Sequence, residues 1–109
     1  MDCIFCKIIN REIPSNIVYE TDELVAFPDI NPSADIHILI VPKEHISGVQ
    51  DITDHQAGLL AKIYTAANEL TRKNNLQNDA YRVVVNGGQA AHVPHLHFHL
   101  LGGQWKRMV

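Results

Sequence analysis

The feature that most constrains the fold is an alternating run near the end of the chain, His95-Leu96-His97-Phe98-His99-Leu100-Leu101. Successive side chains of a strand point to opposite faces, so the three imidazoles are predicted to share one face and the intervening apolar residues the other. Pro94 before the run and Gly102-Gly103 after it are typical of strand boundaries. A single histidine would suit a polar position in a sheet. Three in alternation favour a chemically active face.

The rest of the chain predicts an α+β fold. Its runs are a short helix over 3–11, strands at 17–19, 24–27, 36–41 and 81–86, and a long helix that starts at a Thr53–Gln56 capping box and ends at Asn74-Asn75. With 95–101 they give an antiparallel sheet of about five strands, one long helix and one short helix, both helices being expected on one face. Asp2 suits the start of the short helix. At 109 residues we expect one domain, 1–109.

Composition argues against several classes of partner. The net charge is −3 and no basic run occurs, so no nucleic acid partner is expected. No apolar stretch approaches the roughly 20 residues that cross a bilayer, and the start does not resemble a signal peptide. The two cysteines, Cys3 and Cys6, do not form the framework of a secreted scaffold. We therefore predict a cytoplasmic protein without a membrane partner.

The histidine row is compatible with two chemistries. Imidazoles at this spacing can bind a catalytic metal. Alternatively, one histidine is a nucleophile while its neighbours orient it and stabilise charge, which suits phosphoryl substrates. The residues alone leave both open.

The alternating run resembles the signature of the histidine-triad superfamily, His-φ-His-φ-His-φ-φ with φ apolar. The resemblance to its nucleotide-binding, Hint-like branch extends over segments 4–9, 13–14, 27–32, 37–43, Asn86 and 100–103. It implies a hydrolase or nucleotidyl transferase acting on purine nucleoside 5′-monophosphate derivatives, typically phosphoramidates, without a catalytic cofactor. It also implies a homodimer through the long helix and a sheet edge, for which Tyr64 and Trp105 are interface candidates.

The resemblance assigns roles to four histidines. His97 would attack the α-phosphorus and carry a nucleotidyl-histidine intermediate. His99 would contact the phosphate and help the leaving group depart, and the His95 carbonyl would fix the tautomer of His97. His37, in the apolar strand 36–41, matches the fourth active-site histidine.

The same resemblance describes a nucleotide site. Asp29, which composition alone makes a turn-former, would accept the ribose hydroxyls, and Asn86 would contact the phosphate. Ala91 and His92 replace the Gln and Ser/Thr usual before the triad, and we place His92 near the substrate. The residues of the apolar slot for the base are Ile4, Phe5, Ile8, Phe27, Ile30 and Leu39.

The Cys3-x-x-Cys6 pair has three interpretations. A thioredoxin-type redox pair would follow a strand, whereas only two residues precede this one. Two buried thiols packed as small apolar groups are a second interpretation. Resemblance to some bacterial members of the superfamily favours structural zinc held by Cys3, Cys6, His45 and His95. Zinc at His95 would exclude a catalytic metal on the three-histidine row.

Two alternative functions stay open. One is a nucleotide-binding regulatory protein with vestigial turnover, and the other is a metal-dependent hydrolase that uses the histidine row.

Overall fold

A five-stranded antiparallel sheet forms the centre of the protein, as predicted. The computed structural model describes residues 3–109. The strands lie in the order β1-β2-β3-β5-β4, and each neighbouring pair is antiparallel. The elements are α1 (Ile4–Ile9), β1 (Tyr19–Glu20), β2 (Leu24–Pro28), β3 (Ala34–Pro42), α2 (Ala57–Lys73), β4 (Tyr81–Val85) and β5 (Phe98–Trp105).

The two helices cover opposite faces of this sheet, so the expectation of both on one face is wrong. Strands β2 and β3 are apolar at successive positions, and a strand buried on both faces needs cover on both. Ile38 and Ile40 pack in the cluster that contains the apolar face of α2. Leu39 and Val41 pack on the other side, with Phe5 and Ile8 of α1. The short helix therefore forms one wall of the face that carries the histidines.

The long helix has the predicted signals at both ends. Thr53 and Gln56 form a capping box at a 3₁₀ turn that continues into α2. Asn74 ends the helix, and Asn75 has a φ of 60°, a conformation that asparagine tolerates better than most residues. Asp2 lies outside the described residues. Within residues 3–109, no helix has the length and apolar character needed to cross a bilayer.

Strand β5 begins at Phe98 and continues to Trp105, so the predicted boundary at Gly102-Gly103 is wrong. Ile36 pairs with Gly102 and Ala34 with Trp105, which leaves two β5 residues opposite Asp35. This bulge needs Gly103, whose φ is +79° and whose Cβ, if present, would lie 2.8 Å from Asp35. The bulge keeps the end of β5 paired with β3, and the residues that follow Trp105 lie against Ser33.

Candidate functional site

The three alternating histidines lie on the α1 face of the sheet. His95, His97 and His99 are all buried, and the Phe5 ring of α1 lies edge-on to those of His95 and His97. The residues between them pack on the opposite side against α2. The alternation predicted from the sequence is confirmed, although only His99 lies within the paired part of β5.

The backbone fixes the tautomer of His97. Its Nδ1 lies 2.7 Å from the carbonyl oxygen of His95. A carbonyl only accepts hydrogen bonds, so Nδ1 carries the proton and Nε2 keeps its lone pair. Burial lowers the pKa of His97, which favours this neutral form. The ring thus offers an unprotonated nitrogen.

His37 and His99 form a second chain of hydrogen bonds, which the sequence did not predict. The Ser33 N–H donates to His37 Nδ1 at 2.9 Å, so neutral His37 carries its proton on Nε2. That nitrogen lies 2.9 Å from His99 Nδ1 and donates to it. His99 must then be protonated on Nε2, a buried atom without a hydrogen-bond partner among residues 3–109. A buried N–H without a partner is costly, which indicates a site for an acceptor.

Burial lowers the pKa of His99 to about 4, and the neighbouring His97 and His37 add to the shift. Burial also lowers the pKa of His37, against the opposing effect of Asp29. Without a ligand both rings are therefore neutral near pH 7. They present a hydrogen-bond donor and no positive charge.

Stability should depend on His99 as the pH falls. An unfolded chain binds a proton at this residue near pH 6.5, whereas the folded chain binds it only near pH 4. The unfolded state therefore takes up more protons in between, and folding stability present above pH 6.5 is lost towards pH 4. Between pH 7 and pH 4.5 we expect wild type to lose about 2 kcal/mol more free energy of unfolding than His99→Asn. Urea unfolding at both pH values measures this, and equal losses would contradict it.

A cavity of about 300 Å³ lies against the histidines. His97, His99 and the exposed His92 line it together with Asp29. The six residues predicted for the apolar slot all line the cavity, and these are Ile4, Phe5, Ile8, Phe27, Ile30 and Leu39. The sequence did not identify five further lining residues, which are Ile13, Pro14, Ser15, Pro28 and Val93. The Ile13-Pro14 pair was part of the resemblance, and this was the available signal.

Two predicted site residues differ from the expectation. Asn86 is not among the described residues that line the cavity, whereas Asp29 lines it and also stabilises a turn. Asn86 follows β4 and is half-buried. Asp29 Oδ1 accepts the Asn31 N–H at 2.9 Å, and its Oδ2 lies 3.5 Å from His37 Nε2.

The four proposed zinc ligands, Cys3, Cys6, His45 and His95, lie together around the first histidine of the row. Their ligand atoms are all within 4.8 Å of one another. Cys3 Sγ lies 3.3 Å and Cys6 Sγ 3.5 Å from His95 Nδ1, and Cys6 Sγ lies 3.2 Å from His45 Nδ1. Ligands about 2.0–2.3 Å from a tetrahedral zinc ion are separated by roughly 3.3–3.8 Å, and the three quoted distances lie within or close to this range.

His95 is oriented as a metal ligand requires. Its Nε2 lies 2.8 Å from the carbonyl oxygen of Pro42, so Nε2 carries the proton and Nδ1 is free to coordinate. Burial and the adjacent Cys3 thiol raise the pKa of Cys6, and a cation between the sulfur atoms would offset both effects. The donor set and its orientation therefore fit zinc.

Comparison with known families agrees with this geometry. Residues 2–108 match the family model described as "Scavenger mRNA decapping enzyme C-term binding". A HIT family hydrolase from Legionella pneumophila has a crystal structure with a TM-score of 0.92, 42% identity and 94% coverage of both chains. The chain belongs to the histidine-triad superfamily.

Two histidine-triad relatives have informative names. The purine nucleoside phosphoramidase of Escherichia coli K12 is 42% identical over 107 residues, which covers 94% of this chain and 88% of the relative. A 14 kDa zinc-binding protein of Zea mays is 42% identical over 105 residues, covering 93% of this chain and 81% of the relative.

Proposed function

We propose that this protein hydrolyses purine nucleoside 5′-phosphoramidates through a nucleotide covalently bound to His97. The observation that carries the proposal is a pair of imidazole rings that line one cavity with their centroids 5.0 Å apart: His97, whose Nε2 keeps a lone pair, and His99, whose Nε2–H has no partner among residues 3–109. A nucleophile and a donor for the developing charge are the two groups that displacement at phosphorus requires. The similarity to a phosphoramidase supports this substrate class.

The reaction divides into two displacements at phosphorus. In the first, His97 Nε2 forms a bond to phosphorus while the bond from phosphorus to the amine breaks, and the amine leaves with a proton. In the second, water attacks phosphorus, the phosphorus–His97 bond breaks, and the nucleoside monophosphate is released. The His95 carbonyl favours the first step because it stabilises the positive charge that His97 acquires on substitution.

His99 acts on the phosphate and the leaving nitrogen. The His99 Nε2–H has no hydrogen-bond partner among residues 3–109. It gains one when the phosphoryl group of the substrate binds. A bound anion also favours the protonated form of His99 and opposes the effect of burial on its pKa. We infer that substrate binding enables His99 to supply the proton that the amine needs.

The remaining cavity residues bind the nucleoside. The apolar slot takes the purine, and Ile30, fully exposed at the cavity, is available to cover the base. The ribose hydroxyls donate to Asp29, His92 lies close to the phosphate, and Asn86 reaches the phosphate once substrate is bound.

The Cys3, Cys6, His45 and His95 cluster would hold a structural zinc ion. The ion would link α1, which forms one wall of the cavity, to the segment that carries His97. The similarity to a plant zinc-binding protein supports the assignment. Because His95 serves the cluster, we assign no catalytic metal to the row of His95, His97 and His99.

We also propose that the protein is a homodimer. Tyr64 of α2 is 55% exposed, and Tyr81 and Val85 expose apolar surface on the edge strand β4. Trp105 lies beneath Arg82, whose guanidinium carbon is 4.7 Å from the ring centroid. A cytoplasmic location stays a prediction.

The covalent intermediate is the direct test of the proposed function. Adenosine 5′-phosphoramidate is mixed with the protein, the reaction is stopped in alkaline denaturant within milliseconds, and the digest is analysed by mass spectrometry. We expect an adenylyl group on the peptide that contains His97, and none with His97→Asn. A regulatory protein would bind nucleotide without turnover above that of the variant, and a catalytic metal would make turnover sensitive to chelators without an adduct.

A further inference from the structure

A second cavity adjoins the nucleotide cavity at the histidines. It has a volume of about 280 Å³ and shares Asp29, His92 and His99 with the first. The residues that line only this second cavity are Asn31, Ser33, His37, Arg107, Met108 and Val109. The first cavity is largely apolar, whereas the lining of the second is mixed and includes one cation, Arg107.

Residues 106–109, the C-terminal tail, form a wall of the second cavity and are held by backbone hydrogen bonds. The Ser33 carbonyl accepts the N–H groups of Lys106 at 2.7 Å and Arg107 at 3.3 Å. Arg107 Nη2 donates to the Asn31 carbonyl at 3.0 Å. Ser33 thus connects the C-terminal tail to the histidines, because its carbonyl accepts from the tail and its N–H donates to His37.

Arg107 supplies the cationic charge in this cavity. A guanidinium has five N–H donors, and the bond to Asn31 uses one of them. The exposed side chain is therefore able to bind an acceptor in the cavity. His37 and His99 are neutral when the site is empty, and Asp29 already accepts one hydrogen bond from Asn31. A planar group of acceptors such as a carboxylate suits a guanidinium best.

Resting on the proposed function, we propose that the second cavity receives the leaving amine and that Arg107 favours amines that carry a carboxylate. The residues common to both cavities include His99, whose free N–H marks the position of the phosphoryl group. With the nucleoside in the apolar cavity, the group displaced from phosphorus extends into the other one. Amino acids linked to phosphorus through their nitrogen have the required chemistry.

A contact between Arg107 and the phosphate itself is the competing interpretation. Such a contact would serve every substrate equally, since all of them carry the same phosphoryl group. A pair of substrates with and without a carboxylate on the leaving amine, compared between wild type and an Arg107 variant, separates the two interpretations, because the intrinsic reactivity of each substrate is the same for both proteins.

The test compares adenosine 5′-phosphoramidates of glycine and of glycinamide. We expect the glycine-to-glycinamide ratio of kcat/KM to be about two- to fivefold higher for wild type than for Arg107→Gln, within the range expected of an exposed ion pair. Arg107→Lys should retain part of this difference. Lys106→Gln, which removes a neighbouring cation outside the cavity lining, should keep the ratio. Because salt screens exposed charges, 0.5 M NaCl should lower the wild-type ratio.

A glycine-to-glycinamide ratio that Arg107→Gln leaves unchanged would overturn this inference while hydrolysis itself continued. If neither compound were hydrolysed faster by wild type than by His97→Asn, the proposed function would fall, and the leaving-group site with it.

Discussion

Replacing His97 with asparagine should lower kcat/KM for adenosine 5′-phosphoramidate by about 1,000-fold or more, equivalent to about 4 kcal/mol of transition-state stabilisation. The asparagine amide is able to replace the hydrogen bond to the His95 carbonyl but provides no nucleophilic nitrogen. Release of adenosine monophosphate at several substrate concentrations measures the effect. We expect the loss to be mainly in kcat, because the apolar slot and Asp29 are unchanged.

The matched control is His55→Asn. His55 is exposed in the 3₁₀ turn before α2 and does not line the nucleotide cavity. This variant should retain wild-type kinetics. A His97→Asn protein within tenfold of wild type would show that the reaction does not proceed through the imidazole.

Removal of zinc should produce the largest change in stability. A metal that binds only the folded chain stabilises it by about 4 kcal/mol when its free concentration is a thousand times its dissociation constant. Dialysis against a chelator should therefore lower the free energy of unfolding by about this amount, and readdition of zinc should restore it. Urea unfolding measures the change in the free energy of unfolding. Metal analysis measures the zinc content, which we expect to be one ion per chain.

Cys6→Ser provides the comparison for this experiment, because it removes one thiolate and leaves the helix cap at Cys3 in place. Its stability should respond little to zinc or to chelation. His55→Ala, which removes a histidine that is not part of the cluster, should respond as wild type does. If wild type contained no zinc and lost no stability on chelation, the cluster would be a group of packed thiols and imidazoles.

Much of the fold followed from local sequence patterns. The alternation at residues 95–101 and the signals at both ends of α2 are each encoded within one segment, and the structure has them as predicted. The position of α1 was different. The apolar runs of β2 and β3 indicated burial on both faces, yet a six-residue helix gives no sign of which face it covers. That depends on contacts between distant segments.

The candidate site likewise combines features that the sequence predicts with features that depend on contacts between distant segments. The residues that the resemblance assigns to the apolar slot, together with Asp29, line one cavity, and their assignment to a nucleotide stays a prediction. The resemblance did not reveal that Ser33 orients His37 and that His37 then orients His99, since this needs the β2–β3 loop and two strands in register. The position of Arg107 depends on a bulge at Gly103, and a glycine pair alone indicates a strand end as readily as a bulge.

One residue, His95, belongs to two neighbouring sites by different parts of its structure. Its carbonyl holds His97, an atom that any amino acid at this position would provide. Its imidazole faces the cysteine sulfur atoms and the Pro42 carbonyl, atoms that only histidine can serve in this way. The proposed metal cluster and the proposed nucleophile are therefore adjacent in space but depend on different atoms of His95. Substitution of the His95 side chain should therefore remove the zinc site while the backbone carbonyl that orients His97 stays in place.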